Sequence, residues 1–324
     1  MGEAFAGKIL GKKAMLWGAL AQSIPDIDFI SSFWLDTPSA LLAHRGFTHS
    51  FLFCGLITLF FALLAERLHR PHNIHLGKWS LFFGGAIFIH IFLDAFNNYG
   101  VGWFEPFSNR RISFNIIYVA DPFFSIAPFI AFLALSFLNR YTPTRKKWWT
   151  WGLVIPCIYL LYCSINKKQI DTEVKEFCKS QQISYSRYLT TPAPLQNWLW
   201  YVVAGTDSGY YVGFRSIFDS KNHIDFQYFP RNDFLLKNIN DHEEVIQLKR
   251  FSQQFYTVEK YHDTLVLNDL RFGQMIGWHK PTAKFVFHYF LEHPNDNTLV
   301  VQRGRFEGWN WETITGLMAR TKGE

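Results

Sequence analysis

Between Gly46 and Ala65 the chain runs about 20 residues without a formal charge, the length a helix rising ~1.5 Å per residue needs to cross a hydrocarbon core. A soluble fold would have to wrap such a segment on every side. Three more apolar stretches follow, Trp79 to Leu93, Pro122 to Leu138 and Trp148 to Ile165, so the first half of the chain reads as a polytopic helical membrane domain of about four spans. The second stretch is short and interrupted by His90, which tilt or local thinning accommodates. The last opens on Trp148-Trp149-Thr150-Trp151, an aromatic belt of the headgroup zone. Lys8, Lys12 and Lys13 ahead of Ala19-Leu20-Ala21 imitate a signal peptide, but the apolar core between them is too short. Residues 14 to 24 read instead as a short membrane-inserted or half-buried helix that Pro25 stops.

Charge supports this reading. The net +6 sits largely in short loops, 66–78 with Arg67, Arg70 and Lys78, and 140–147 with Arg140, Arg145, Lys146 and Lys147. Membrane proteins place positive charge that way, so no nucleic-acid partner is expected, and membrane lipids are the natural surroundings. Both loops and the lysine-rich N-terminus fall on one side, which the positive-inside rule makes cytoplasmic. The opposite face then receives residues 95–121 and everything after Asn166. Cys54, Cys157, Cys163 and Cys178 show no CxxC spacing and suggest neither a disulfide framework nor a thiolate metal site.

The apolar runs stop near residue 165, and a boundary there divides the chain into 1–165 and 166–324. Beyond it, Trp198 to Val203 and Tyr210 to Phe214 alternate around Thr206-Asp207-Ser208-Gly209 and predict a β-hairpin. Ile224 to Phe229, Leu265 to Leu270, Lys284 to Tyr289 and Leu299 to Arg303 are further strand candidates, and 242–254 and 311–320 have helical periodicity. The expectation is a smaller, antiparallel α+β extramembrane domain.

Metal-ligating residue types gather where the spans begin and end: Pro25-Asp26-Ile27-Asp28, His44-Arg45-Gly46-Phe47-Thr48-His49-Ser50 and His90-Ile91-Phe92-Leu93-Asp94. His90 and Asp94, spaced i and i+4, share one helix face and can grip one ion. An imidazole and a carboxylate in a membrane helix are costly unless they face a cavity or each other. His44 and His49 would diverge on a continuous helix, but Gly46 permits a turn that brings both inward. Thr48 or Ser50 then caps the next helix. Of Asp26 and Asp28, one is expected to coordinate or act as general base while the other caps. Arg45 either holds a phosphate or carboxylate or is a plain surface arginine. Asp121-Pro122 reads as an N-cap followed by proline at the first helical position.

Imidazoles and carboxylates without a thiolate suit a divalent metal, zinc first, with manganese, iron or nickel as alternatives and two ions conceivable. Such an ion activates water and stabilises charge on an attacked ester or phosphoester, which is hydrolytic chemistry. No serine nucleophile elbow, Walker loop or dinucleotide fingerprint competes with it. Arg45, Arg110 and Arg111 lean towards an anionic, lipid-derived substrate. The rival readings are a non-catalytic membrane scaffold with a structural metal and an ion transporter.

In combination these motifs resemble the YdjM/YbcI-type membrane-bound metal-dependent hydrolases, most strongly from Ala14 to Pro122. The resemblance implies a bacterial inner-membrane protein, with the C-terminal domain as the extension of a longer subgroup. Members often carry a segment, sometimes with a histidine, ahead of the equivalent of Gly2-Glu3-Ala4, and a truncated start here would remove a ligand. The His-x3-Asp pattern is also distantly similar to zinc-dependent phospholipase C and related zinc nucleases, which cleave phosphodiesters.

Overall fold

The computed structural model, described over residues 1–69, 74–239, 242–291 and 308–323, turns each long apolar run into a helix. Helices α1 (Gly2–Leu10) and α2 (Lys12–Ser23) form a hairpin, and a 3₁₀ helix, Pro25–Phe33, follows. Next come α3 (Thr37–Ala43), α4 (Phe51–Leu68), α5 (Leu76–Asp94), α6 (Pro122–Phe137) and α7 (Arg145–Ser180). Among the described residues, α4, α5 and α7 are long and apolar enough to cross a membrane. The sequence suggested about four spans; α6, at 16 residues and ending one residue before the expected Leu138, is an apolar helix shorter than the three.

The starts of α4 and α6 follow capping chemistry. Ser50 accepts a hydrogen bond from the Phe53 N–H at 3.1 Å and opens α4. Asp121 accepts from Phe123 and Phe124 at 2.9 and 3.2 Å and opens α6, with Pro122 at its first position. Tyr159 donates to the other Asp121 oxygen at 2.9 Å.

The chain divides into two units. The first comprises Met1–Phe33, Ala43–Phe114 and Ala120–Leu161. Its core lies between α4 and α5, where Ala62 and Ala65 leave room for the wholly buried Trp79, Phe83 and Ile87. The α1–α2 hairpin is equally close: a Cβ on Gly2 would lie 1.9 Å from the Ala14 carbonyl oxygen. Arg145 clasps Glu3 through two bonds of 2.8 and 2.7 Å and donates to the Leu135 and Leu138 carbonyls, which the end of α6 leaves without helical partners.

The second unit comprises Trp34–Leu42, Asn115–Val119 and Tyr162–Glu324. Its antiparallel four-stranded sheet has the order β1 (Arg187–Pro192), β2 (Leu199–Gly205), β3 (Gly209–Ser216), β4 (Gln227–Pro230). The predicted hairpin is β2–β3, closing at Gly205 opposite Tyr210. A second antiparallel sheet holds β5 (Tyr256–Tyr261), β6 (Thr264–Gln274) and β7 (Phe285–Leu291), and helices α8 (His242–Phe251) and α9 (Trp311–Thr321) complete the unit. Strand β2 is buried along its whole length. Trp200, Val202 and Ala204 pack on Ile170, Val174 and Phe177 of α7, while Tyr201 and Val203 pack on Leu270 and Phe285 of the second sheet. The expected strand at 224–229 shortens to β4, and the candidate at 299–303 lies outside the described residues.

Candidate metal centre

The site is built where α4 begins and α5 ends, with the 3₁₀ helix Pro25–Phe33 packed beside them. On α5, one helical turn separates His90 from Asp94, so both side chains leave the same face. His49 ends a single 3₁₀ turn, Phe47–His49, immediately before the Ser50 cap. Asp26 is the second residue of the longer 3₁₀ helix.

Together Asp26, His49, His90 and Asp94 each offer one ligand atom, and these atoms all lie within 4.8 Å of one another. His49 Nε2 is 3.5 Å from Asp26 Oδ1 and 3.3 Å from Asp94 Oδ2, and His90 Nε2 is 3.5 and 3.7 Å from the same oxygens. Nε2 of both histidines and Oδ2 of Asp94 are buried without a hydrogen-bond partner. Bonds of about 2.0–2.2 Å in a tetrahedral shell put neighbouring ligand atoms about 3.3–3.6 Å apart. The spacing is therefore that of donors around a common centre, and the group can hold a metal ion.

Asp28 does something different. Its Oδ1 meets His44 Nδ1 at 2.9 Å, and its Oδ2 accepts from the Arg45 N–H at 2.9 Å and the Thr48 hydroxyl at 2.8 Å. The same oxygen lies 3.2 Å from His49 Nδ1. In the neutral ring a carboxylate at Nδ1 keeps the proton there and aims the Nε2 lone pair into the cluster, the arrangement that orients a metal-binding histidine. The structure thus brings Asp26, His49, His90 and Asp94 into one group and sets His44 and Asp28 behind it as a supporting pair.

Arg45 lies between the two. Its Nε is 3.1 Å from Asp94 Oδ2, one terminal nitrogen donates to Asn97 Oδ1 at 2.8 Å, and the guanidinium lies over the Tyr99 ring. Its backbone also departs from expectation: the left-handed residue of the turn is Arg45, at φ 58°, while Gly46 has φ −87°. A non-glycine residue holds that conformation only where its surroundings fix it. Here the Arg45 N–H binds Asp28, its carbonyl accepts from Gly102, and its side chain is held at three points. Arg111 is buried and donates to the His44 carbonyl, whereas Arg110 is exposed. Residues 95–114 fold over the helix ends, with the Trp103 indole donating to the Ile91 carbonyl at 3.0 Å and Phe51 N–H to Trp103.

Electrostatics follow from this packing. Burial pushes the Asp26 carboxyl up, but the neighbouring His49 and His90 imidazoles outweigh it and hold it well below the usual carboxylate range. Asp28 is lowered in the same way, burial being overcome by His44 and His49. Burial opposes a charge on His49, yet Asp26, Asp28 and Asp94 raise its pKa to about 10. Without a cation at the centre, a proton on His49 balances the carboxylates.

Thr48, Asn97, Tyr99 and Arg111 support the site without standing out in the sequence as ligands. Thr48 stood out as a possible cap but serves Asp28 and leaves the capping to Ser50, and Arg111, expected to lean towards an anionic substrate, instead holds the His44 carbonyl.

Membrane helices carrying an Asp/His group at one end define a class of integral membrane protein with a candidate metal centre. The chain belongs to the YdjM inner membrane protein family, whose model matches residues 1–170, and it is accordingly an inner-membrane protein. It is 34% identical over 118 residues to Uncharacterized protein YfhP of Bacillus subtilis (strain 168), a match covering 35% of this chain and 34% of the relative. It is 27% identical over 144 residues to Inner membrane protein YbcI of Escherichia coli (strain K12), covering 44% of this chain and 75% of that protein. The chain thus spans about a third of the length of the first relative and three quarters of the second. No solved structure matches it.

Proposed function

We propose that the protein is a membrane-bound, metal-dependent hydrolase acting on an ester or phosphoester. His49, His90 and Asp94 are the ligands, and Asp26 stands at the open side. The observation that carries this reading is the convergence of three buried ligand atoms, the two histidine Nε2 and Asp94 Oδ2, at coordination spacing. Zinc is the first candidate for a set of two imidazoles and one carboxylate. A bound divalent ion supplies Lewis acidity and lowers the pKa of water to near neutrality. The chain's own groups do the rest. Asp28 holds His49 in its binding tautomer, and Arg45 fixes Asp94. Asp26, whose side chain is 50% exposed where His49's is 0%, is ionised and placed to take a proton from an attacking water.

A second reading has one observation in its favour: four donors can close a tetrahedral shell, which would make the metal structural and the protein a scaffold. The Asp26→Asn variant separates the two when zinc- or manganese-loaded protein is assayed on chromogenic esters and phosphoesters. The hydrolase reading predicts that Asp26→Asn keeps its metal and loses turnover about 10²–10⁴-fold. Loss of metal as complete as in His90→Ala would favour the closed, structural site. The division at residues 165/166 and the placement of 166–324 on the outer face belong to the same proposal, in which the short α6 also crosses, in a locally thinned bilayer, so that both basic loops lie on one side. An active C-terminal alkaline phosphatase fusion is expected.

A further inference from the structure

The 3₁₀ helix that supplies Asp26 and Asp28 turns an apolar stripe outward. Residues three apart eclipse in such a helix, so Ile27, Ile30 and Phe33 form one row, and Phe29 stands above Asp26 in the next. All four are exposed, Phe29 to 59% and Phe33 to 78%. Across the site, Phe104 and Phe107 of the 95–114 segment are also exposed, Phe107 to 83%. Large apolar side chains clustered this way mark a surface that something covers.

The position of the stripe says what covers it. Asp94 is the last residue of α5, His49 lies two residues before α4, and His90 is one turn inside the span. The centre therefore lies at the level where two membrane-crossing helices end, and the 3₁₀ helix packs directly against α5 and the Phe47–His49 turn at that level. Exposed Phe51, Leu52, Phe88 and Phe92 on these helix ends continue the apolar surface around the site. A segment at the end of membrane spans that turns Ile27, Ile30, Phe33 and Phe29 outward, buries Asp28 and leaves Asp26 half-exposed beside them is built for the headgroup layer.

Resting on the hydrolase reading, we infer that the Ile27–Ile30–Phe33 row and Phe29 are seated in the interfacial layer of the bilayer, and that the centre takes a membrane-resident amphiphile. The polar headgroup reaches the ligands past the half-exposed Asp26 while the apolar chains stay in lipid. A water-soluble ester would gain nothing from this rim. An amphiphile already in the leaflet meets the centre by lateral diffusion.

The test uses the full chain in lipid nanodiscs and two readouts. In the first, Phe33→Cys in a Cys157→Ser background carries a nitroxide label. Greater relaxation by oxygen than by a water-soluble nickel chelate is expected. Relaxation dominated by the chelate, or shielding from both reagents by a covering protein surface, would overturn the seating. In the second, manganese-loaded protein is placed in nanodiscs containing phosphatidic acid, and the lipid ³¹P linewidth is followed. Broadening at least severalfold above that seen with His90→Ala is expected, with no competition from soluble glycerol phosphate. Protein that holds manganese yet leaves the lipid signal at the His90→Ala level, or glycerol phosphate that abolishes the broadening, would overturn the amphiphile. Failure to bind manganese at all would instead remove the hydrolase reading, and the label would then still decide the seating.

Discussion

Two buried groups of charges make an instructive contrast. In the C-terminal unit, Asp269 and Arg271 are 0% and 1% exposed, and each is the other's partner. The guanidinium reaches both carboxylate oxygens at 2.6 to 3.2 Å, the Arg271 N–H adds a bond of 3.0 Å, and the charge is sandwiched by Phe251 and Phe272. At the membrane site, His49, His90, Asp26 and Asp94 approach no closer than 3.3 Å, and three of their atoms are buried without hydrogen bonds. The first group is complete as it stands and holds a fold together. The second is arranged around a point that none of its members occupies. Desolvation of charge is repaid by direct pairing in one case, while in the other the donors are spaced so that they could hold a cation.

Breaking the closed pair should have the largest consequence for folding. Arg271→Met leaves the buried Asp269 carboxylate without its guanidinium and with the residue 271 N–H still on Oδ1, which costs roughly 3–5 kcal/mol. Thermal or denaturant unfolding of the C-terminal strands should report the loss. Metal content should stay unchanged, and a parallel fall in metal would blur the contrast. At the open group, Asp28→Asn keeps the shape while weakening the hold on His49 Nδ1. Metal affinity should drop about 10–100-fold, measured by competition with a chelating dye, with the helices intact by circular dichroism.

Acid should sharpen the contrast further. His49 in the metal-free protein has a pKa of about 10 against an ordinary 6.5. A metal needs the neutral ring, so below pH ~10 binding must expel that proton, and apparent affinity should fall about tenfold per unit of acidification. The sign reverses for the metal-free fold. A raised histidine pKa contributes stability that is fully present below pH 6.5 and is lost as pH climbs through about 10. Calorimetry in buffers of different ionisation enthalpy should show close to one proton released per ion near neutral pH. Binding that ignores pH would remove His49 from the shell.

Much of this was legible in the chain. Uncharged runs predict the spans because hydrocarbon offers no partner to a charge, and the i, i+4 spacing of His90 and Asp94 places both on one face. Ser50 and Asp121-Pro122 cap as their chemistry suggests. The choice among neighbouring candidates was not legible. Asp26 and Asp28 diverge because a 3₁₀ helix advances about 120° per residue, which no local pattern announces. His49 rather than His44 enters the cluster because Arg45 adopts a left-handed turn fixed by Asp28, Asn97 and Gly102, contacts distant in sequence. Strand β1 hides behind the buried, polar Thr190 and Thr191. Helix α7 continues unbroken to Ser180 through the charged Lys167-Lys168-Gln169-Ile170-Asp171, so the change of composition there does not end the helix.

Metal content per chain tests the central claim most directly. Wild-type protein purified in detergent and loaded with zinc or manganese should carry about one ion per chain by inductively coupled plasma mass spectrometry, and His90→Ala close to none with its helices intact. A wild type that remains metal-free after loading, or a His90→Ala variant that retains full occupancy, would contradict the account.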